Sequence, residues 1–280
     1  MTEIISSTRN PRIRELITLM EKSRSRREAG LFPVEGVRET EHAIEAGFVP
    51  EMLFHCPEIL PHLPEAISSA ARGNVCSILE VTAELYSRIA YREGTEGLVT
   101  VFRTPVPLTL DDLGIDITGM ISGNPVLIMV AESIEKPGNI GALLRTADAV
   151  GADAVILCDP LTDLYNPNLI RASLGGVFTG KIVCCTSAEA ISFLLNHSIQ
   201  ILTAQLQDSV PYYDSDMTPP TAIVFGTEST GLTQQWRTAS SSKIRIPMLG
   251  RLDSLNVSVS AAILCFEALR QRNTPTLHTE

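Results

Sequence analysis

The chain reads as an α/β protein in which a small α/β domain precedes a larger domain built on a parallel sheet. Three observations predict this. Short apolar runs alternate with segments of helical period along nearly the whole length. In the C-terminal half the run at 126–131 (Val, Leu, Ile, Met, Val, Ala) is uninterrupted, as in strands buried on both faces of a parallel sheet. Several such runs pass through a Gly- or Pro-bearing turn straight into helical sequence, the layout of ligand loops at the carboxyl ends of parallel strands.

Taken in order, Asn10 and Pro11 open a helix with Ile13, Leu16, Ile17 and Met20 at helical spacing, and Gly30 ends it. A short strand at 32–36 leads to a helix at 37–46, closed by Gly47. Strands at 52–55, 77–81 and 97–102 then alternate with helices at 61–72 and 82–90. The breaker-rich stretch 105–123 has no clear period and is the expected linker, so the domains are placed at 1–104 and 124–280. The second domain opens with strand 126–131, followed by a helix at 138–150 ending at Gly151 and a strand at 154–158. Further strands are expected at 182–185, 200–204, 222–225 and 243–246, with helices at 189–196 and 256–272.

Composition narrows the function classes. A 44% hydrophobic, 19% charged chain of 280 residues is a normal globular balance. The longest apolar stretches are too short to cross a bilayer, and the first residues lack the basic and apolar regions of a signal peptide, so a cytoplasmic location with no membrane partner is expected. The six cysteines form no Cys-x-x-Cys pair and no metal-ligand spacing is evident, so reduced thiols and no metal are expected. A net charge of -10 argues against indiscriminate coating of nucleic acid. Residues 1–27, however, carry seven basic against three acidic residues, a net +4 arm on a body of -14, which suits docking onto structured RNA. Neither Gly-x-Gly-x-x-Gly after a domain's first strand nor Gly-x-x-x-x-Gly-Lys-Ser/Thr is present, which disfavours a nicotinamide dehydrogenase and a P-loop ATPase.

Three segments carry the chemistry. The first is Pro137-Gly138-Asn139-x-Gly141 with Arg145 beyond it: Asn139 can cap a helix or fix an oxygen, and Arg145 lies about 120° of arc away on the same helix. The second, Gly226-x-Glu228-x-x-Gly231-Leu232, follows a strand; Gly226 lets a ligand meet the backbone and Glu228 stands at the strand end. The third runs from Ile246 and Pro247 to Ser254, Leu255, Asn256, Val257 and Ser258, where polar residues at alternate positions exceed what a helix cap requires.

The order, content and spacing of these segments resemble the three motifs of the SpoU, or TrmH, family of RNA ribose 2'-O-methyltransferases in the SPOUT superfamily, over most of 126–272. The resemblance implies a C-terminal SPOUT domain with a deep trefoil knot, a homodimer with the terminal helix at the interface, and S-adenosylmethionine as methyl donor without a metal. It also implies that Arg145 acts on the ribose 2'-hydroxyl, with Asn139, Glu228, Ser254 and Asn256 around it. Backbone groups of Gly226, Ile246 and Leu255 would hold the cofactor. Guanidinium is a poor proton acceptor, so electrostatic support of a developing alkoxide is the more conservative role for Arg145.

The N-terminal domain, chiefly residues 33–39, resembles the family's ribosomal-protein-like substrate-binding domain. That favours ribosomal RNA over tRNA as the structured RNA partner. Arg9, Arg12 and Arg26 of the arm, with Arg38, Arg270 and Arg272, are the candidate RNA contacts. Arg171 and Ser173, in the family-like stretch 166–176, are expected to close over the substrate, and the face of Val257, Ala261, Leu264 and Ala268 is compatible with the dimer interface. The alternatives are a tRNA 2'-O-methyltransferase, a methyltransferase acting on a base or for antibiotic resistance, and a non-catalytic RNA-binding protein of the same fold.

Overall fold

The computed structural model describes residues 4–74, 76–90, 96–227, 229–252 and 254–273. The chain divides into two compact units, 1–106 with 163–179, and 107–162 with 180–280.

In the first unit Asn10 caps helix α1 (Pro11–Glu21) by accepting from the Arg12 amide, with Pro11 in the first turn where its missing N–H costs nothing. The expected single helix is two. Lys22 adopts an extended conformation, and α2 (Ser23–Ala29) follows before the left-handed cap Gly30. The buried face of α1 is Ile13, Leu16 and Leu19, while Ile17 and Met20 are only partly buried. Strands β1 (Leu31–Glu35), β2 (Pro50–His55), β3 (Ser77–Glu80) and β4 (Leu98–Arg103) form a sheet of order β1-β4-β2-β3. Helices α3 (Val37–Glu45), α4 (Glu65–Gly73) and α5 (Ala83–Ile89) complete the alternation. Strand alternation sends Met52 and Phe54 into a core with α1 and α5, and Leu53 into a second one with Ile67 and Ala71 of α4.

The segment 163–179, expected to belong to the second domain, is part of this unit. It carries α7 (Pro167–Ser173) and α8 (Gly176–Thr179). Tyr165 stacks on Phe32 at 4.2 Å, and Phe178 meets Phe48 edge-on at 5.0 Å. Arg26 is buried and its Nε donates to Asp163 at 2.6 Å. Gly175 has φ +85°, and a Cβ there would sit 2.5 Å from the His42 ring, so no larger residue fits.

The second unit begins with residues expected to be the linker. They are instead packed: Leu113 and Ile115 are buried in its core, Leu108 bridges to Val183, and β5 (Met120–Ile121) pairs with β6 (Asn124–Pro125). Its main strands are β7 (Leu127–Glu132), β8 (Ala154–Cys158), β9 (Ile182–Cys185), β10 (Gln200–Ala204), β11 (Val210–Pro211), β12 (Thr221–Phe225) and β13 (Ser242–Arg245). They form one parallel sheet of order β11-β13-β10-β12-β7-β8-β9. All six residues of β7 are buried, the five apolar ones, Leu127 to Ala131, as such a run requires at the centre of a doubly covered sheet, and Glu132 at its end. Helix α6 (Pro137–Val150) follows β7 and ends at Gly151; α9 (Ser187–Asn196) starts with a Thr186/Glu189 capping box; α10 (Gln234–Ala239) precedes β13, and α11 (Val257–Asn273) closes the described chain. After β9 the chain returns to the other side of β7, so the sheet has a topological switch point there. Among the described residues no helix is long and apolar enough to cross a membrane.

Candidate active site

At the carboxyl end of the sheet a cavity of about 580 Å³ opens in the second unit, within the size range of small-molecule sites. Its walls come from the ends of three neighbouring strands and from the start of α11. They are 204–207 after β10, 225–227 and 229–232 after β12, 244–246 with Met248 at β13, and 254–257 with Ser260 and Leu264. The second and third expected segments therefore meet in one cavity, with Gly226, Ile246, Ser254, Leu255 and Asn256 among its walls.

Gly226 has a second reason to be glycine besides the expected one. A Cβ at this position would come within 2.6 Å of the Gly231 carbonyl oxygen and the Leu232 amide nitrogen. The loop closes back on itself, with Thr227 bridging Gly231 and its hydroxyl accepting from the Thr230 amide. Glycine is needed to let the loop shut before any ligand is considered. Glu228, inside this loop, lies outside the described residues.

The head of α11 is built by Asn256. Its Oδ1 accepts from the Ser258 amide at 3.0 Å and from the Ser258 hydroxyl at 2.6 Å, the N-cap arrangement. Its Nδ2 donates to Oδ1 of Asn139 at 3.2 Å, which links the head of α11 to that of α6. Arg145 is exposed on α6 and is not a wall of the cavity; it makes no side-chain hydrogen bond or ion pair with any described residue. The structure thus brings Asn139 to the rim and leaves Arg145 outside, facing solvent.

A buried carboxylate ties the second segment to the sheet. Glu132, at the end of β7, accepts from the amide of Thr233 at 2.8 Å and from its hydroxyl at 2.6 Å, and also from the Ser187 hydroxyl. Sequence reading missed it because a single acidic residue after an apolar run gives no sign of its partners 101 positions away. It missed Gln205, Gln207, Arg237 and Arg245 for a related cause. They line the cavity only because β10 lies between β12 and β13, and strand order is not written in periodicity.

Several expected RNA contacts need correction. Arg26 cannot reach RNA, since it is 3% exposed and holds Asp163 and the Leu19 carbonyl. Arg272 donates to the carbonyls of Met217, Pro125, Val126 and Pro219, so it is a structural clasp; burial lowers its pKa. Arg9 and Arg12 are exposed, the latter beside Glu15 at 3.3 Å. Arg38 is half exposed and its pKa is raised by the hydrogen bond to buried Glu39, and that of exposed Arg270 is raised by its bond to Glu267. Ser173 is buried and its hydroxyl donates to the Ile170 carbonyl, and Arg171 sits with it in the first unit, so neither belongs to the cavity's unit. The face Val257, Ala261, Leu264 and Ala268 is buried in the chain's own core and is not free for a partner. Among the described residues no group of three or more His, Cys, Asp or Glu is gathered to hold a metal.

Residues 10–100 match the MRM3-like substrate binding domain. Over 276 residues the chain is 28% identical to the 23S rRNA (uridine(2479)-2'-O)-methyltransferase of Streptomyces viridochromogenes, covering 95% of this chain and 92% of that protein. It is 35% identical over 156 residues to the tRNA (guanosine(18)-2'-O)-methyltransferase of Escherichia coli K12, covering 55% of this chain and 67% of that one. The AdoMet-bound rRNA methyltransferase of Sinorhizobium meliloti superposes with a TM-score of 0.84 at 25% identity, over 98% of this chain and 99% of that one. Residues 126–266, half of the chain and all the loops that wall the cavity, match the SpoU rRNA Methylase family, and the chain belongs to that family.

Proposed function

We propose that this protein transfers a methyl group from S-adenosylmethionine to a ribose 2'-hydroxyl of ribosomal RNA. The observation that carries the reading is the hydrogen bond from Asn256 to Asn139, which joins the helix bearing Arg145 to the rim of the cavity walled by the other two segments.

The residues present fit the cofactor. Phe225, Leu232, Ile244, Ile246, Met248 and Leu255 offer apolar walls for a purine, and the backbone at Gly226, Ile246 and Leu255 offers peptide groups to its edge and ribose. Gln205 Oε1 is a buried acceptor without a partner among the described residues, which a ligand donor would satisfy. When bound, the sulfonium supplies an activated methyl on a good leaving group, so alignment is most of what the protein must add. Arg145, exposed and uncommitted to any described residue, would hold the phosphate beside the target ribose and stabilise the oxygen as it loses its proton. Asn139, Ser254 and Asn256 would fix the ribose at the rim, with Glu228 completing the set.

Ribosomal RNA is favoured over tRNA by the extent of the two matches. The ribosomal RNA enzyme of Streptomyces matches through both units, whereas the tRNA enzyme matches over 55% of the chain. Arg9, Arg12, Arg38 and Arg270 are the remaining candidate RNA contacts, and a cytoplasmic location follows from that substrate. A homodimer is part of the proposal, supported by Val259 and Phe266, apolar residues of α11 that are about half exposed one heptad apart. The trefoil knot belongs to the proposal as well.

The test is transfer of radiolabelled methyl to unmodified ribosomal RNA, followed by nucleoside digestion. Recovery of a 2'-O-methylated nucleoside supports the reading; label on a base, label on tRNA alone, or no label overturns it.

A further inference from the structure

Among the described residues, two polar groups in the cavity wall lack the partners that their burial calls for. Arg237, on α10, is partly buried, and its Nε donates to the Leu232 carbonyl at 3.0 Å. Its terminal nitrogens make no hydrogen bond or ion pair with any described residue, and one lies beside Gly231 in the loop that closes the cavity. Pinning Nε fixes the plane of the guanidinium and leaves its two-pronged end available, the geometry that takes a carboxylate in bidentate fashion. The second group is Gln205. Its Nε2 donates to the Gln207 carbonyl at 2.9 Å, which settles which way the amide points, and leaves Oε1 buried and without a partner among the described residues. Among the described residues, a cation without an acid and an acceptor without a donor in one cavity are the complement of a zwitterion.

We propose that Arg237 and Gln205 form the subsite for the amino-acid end of the methyl donor, Arg237 holding its carboxylate and Gln205 accepting from its ammonium. The proposal rests on the cofactor reading above and adds to it. The purine and ribose can be held by backbone and apolar walls, but those walls cannot distinguish the methyl donor from simpler thioadenosines. Arg237 supplies that discrimination. Arg245, also in the cavity wall, is the weaker choice because one of its terminal nitrogens is already bonded to the Ser209 carbonyl.

The experiment is calorimetric titration of the full chain with S-adenosylhomocysteine and with 5'-methylthioadenosine, which keeps the thioether nucleoside and lacks the amino acid. Arg237→Met is expected to weaken S-adenosylhomocysteine about 30-fold, as loss of a charged bidentate contact should, while changing 5'-methylthioadenosine less than about 3-fold. Gln205→Leu is expected to act in the same direction by about 5-fold. Retained 5'-methylthioadenosine binding shows that the variant is folded. Equal loss on both ligands, no loss on either, a loss seen only in RNA binding, or a discrimination that follows Arg245→Met instead, each overturns the proposal. If the unaltered protein binds neither ligand, the cofactor reading fails and this one falls with it; if it binds both and only the ratio in Arg237→Met is unchanged, the cofactor reading stands.

Discussion

Asn256 and Asn139, 117 residues apart, share a hydrogen bond of 3.2 Å from Nδ2 to Oδ1 while Asn256 also caps α11 through its own Oδ1. One carboxamide thus does two jobs that substitution can separate. Asn256→Ala removes the cap and the cross-link together. It is expected to cost about 1 kcal/mol, a Tm drop of roughly 2–4 °C, and to lower methyl transfer at least tenfold. Asn139→Ala removes the cross-link and leaves the Asn256 cap in place, and is expected to lower transfer with Tm nearly unchanged. Thermal melts of both variants beside the labelled-methyl assay decide it; equal Tm losses would mean that Asn139 is a structural residue.

Arg145 stands in solvent without a described partner, so its removal strands no buried group. Arg145→Ala is therefore expected to keep Tm and S-adenosylhomocysteine affinity within about twofold while transfer falls by 100-fold or more, the range seen when a group stabilising developing charge is lost. Arg145→Lys should recover little if a planar fork on phosphate is what matters. Transfer at the unaltered rate in Arg145→Ala would remove this residue from the reaction.

Much of this was legible before any coordinates. Strands β8, β9 and β10 lie where apolar runs place them, and β8 is buried throughout as such a run requires. The conjunction of Gly226, Gly231 and Asn256 marked the loops that wall the cavity. What the sequence concealed is long-range. Nothing local says that Asp163–Thr179 joins the first unit through Tyr165 on Phe32 and Asp163 on Arg26, or that buried Arg26 and part-buried Arg272 are clasps. An arginine looks the same in sequence whether it faces phosphate or four carbonyls; only the packing around it decides.

Glu132 offers a stability test of the link between the central strand and the second loop. Glu132→Ala leaves the Thr233 amide and hydroxyl without this acceptor, while the Ser187 hydroxyl keeps Asp159 at 2.6 Å. The expected cost is about 3 kcal/mol, a Tm drop of roughly 6–12 °C. Glu132→Gln keeps the volume and one acceptor oxygen and should recover more than half. A Tm within 2 °C of the unaltered protein in Glu132→Ala, about what a neutral surface change gives, would show that the carboxylate holds nothing.

Gly226→Ala tests loop closure. The added methyl would lie 2.6 Å from backbone atoms of Gly231 and Leu232, which cannot yield as a flexible side chain would. Cofactor affinity is expected to fall by more than 30-fold, with both S-adenosylhomocysteine and 5'-methylthioadenosine affected alike. That parallel loss distinguishes a deformed loop from loss of the Arg237 contact. Unchanged affinity for both would place the loop's closure outside the binding event.

The thiols should sort by environment. Burial pushes Cys265 up to about 12 and Cys76 up to about 11. At pH 8 only about one in 10⁴ and one in 10³ of them would be thiolate, the reactive form. Cys185 is shifted the other way, because the Cys158 thiol on the neighbouring strand donates to its sulfur, while that same bond and then burial raise Cys158. Iodoacetamide followed by peptide mass spectrometry should therefore label Cys185 well before Cys76, and Cys265 and Cys158 only after unfolding. Raising the pH from 7 to 9 should increase Cys76 labelling about tenfold per unit, since its thiolate fraction keeps climbing, whereas the Cys185 rate should level off first. Cys158→Ala removes the donor and should slow Cys185. If Cys76 reacts as fast as Cys185, or Cys158→Ala leaves Cys185 unchanged, the paired thiols of β8 and β9 do not set each other's ionisation.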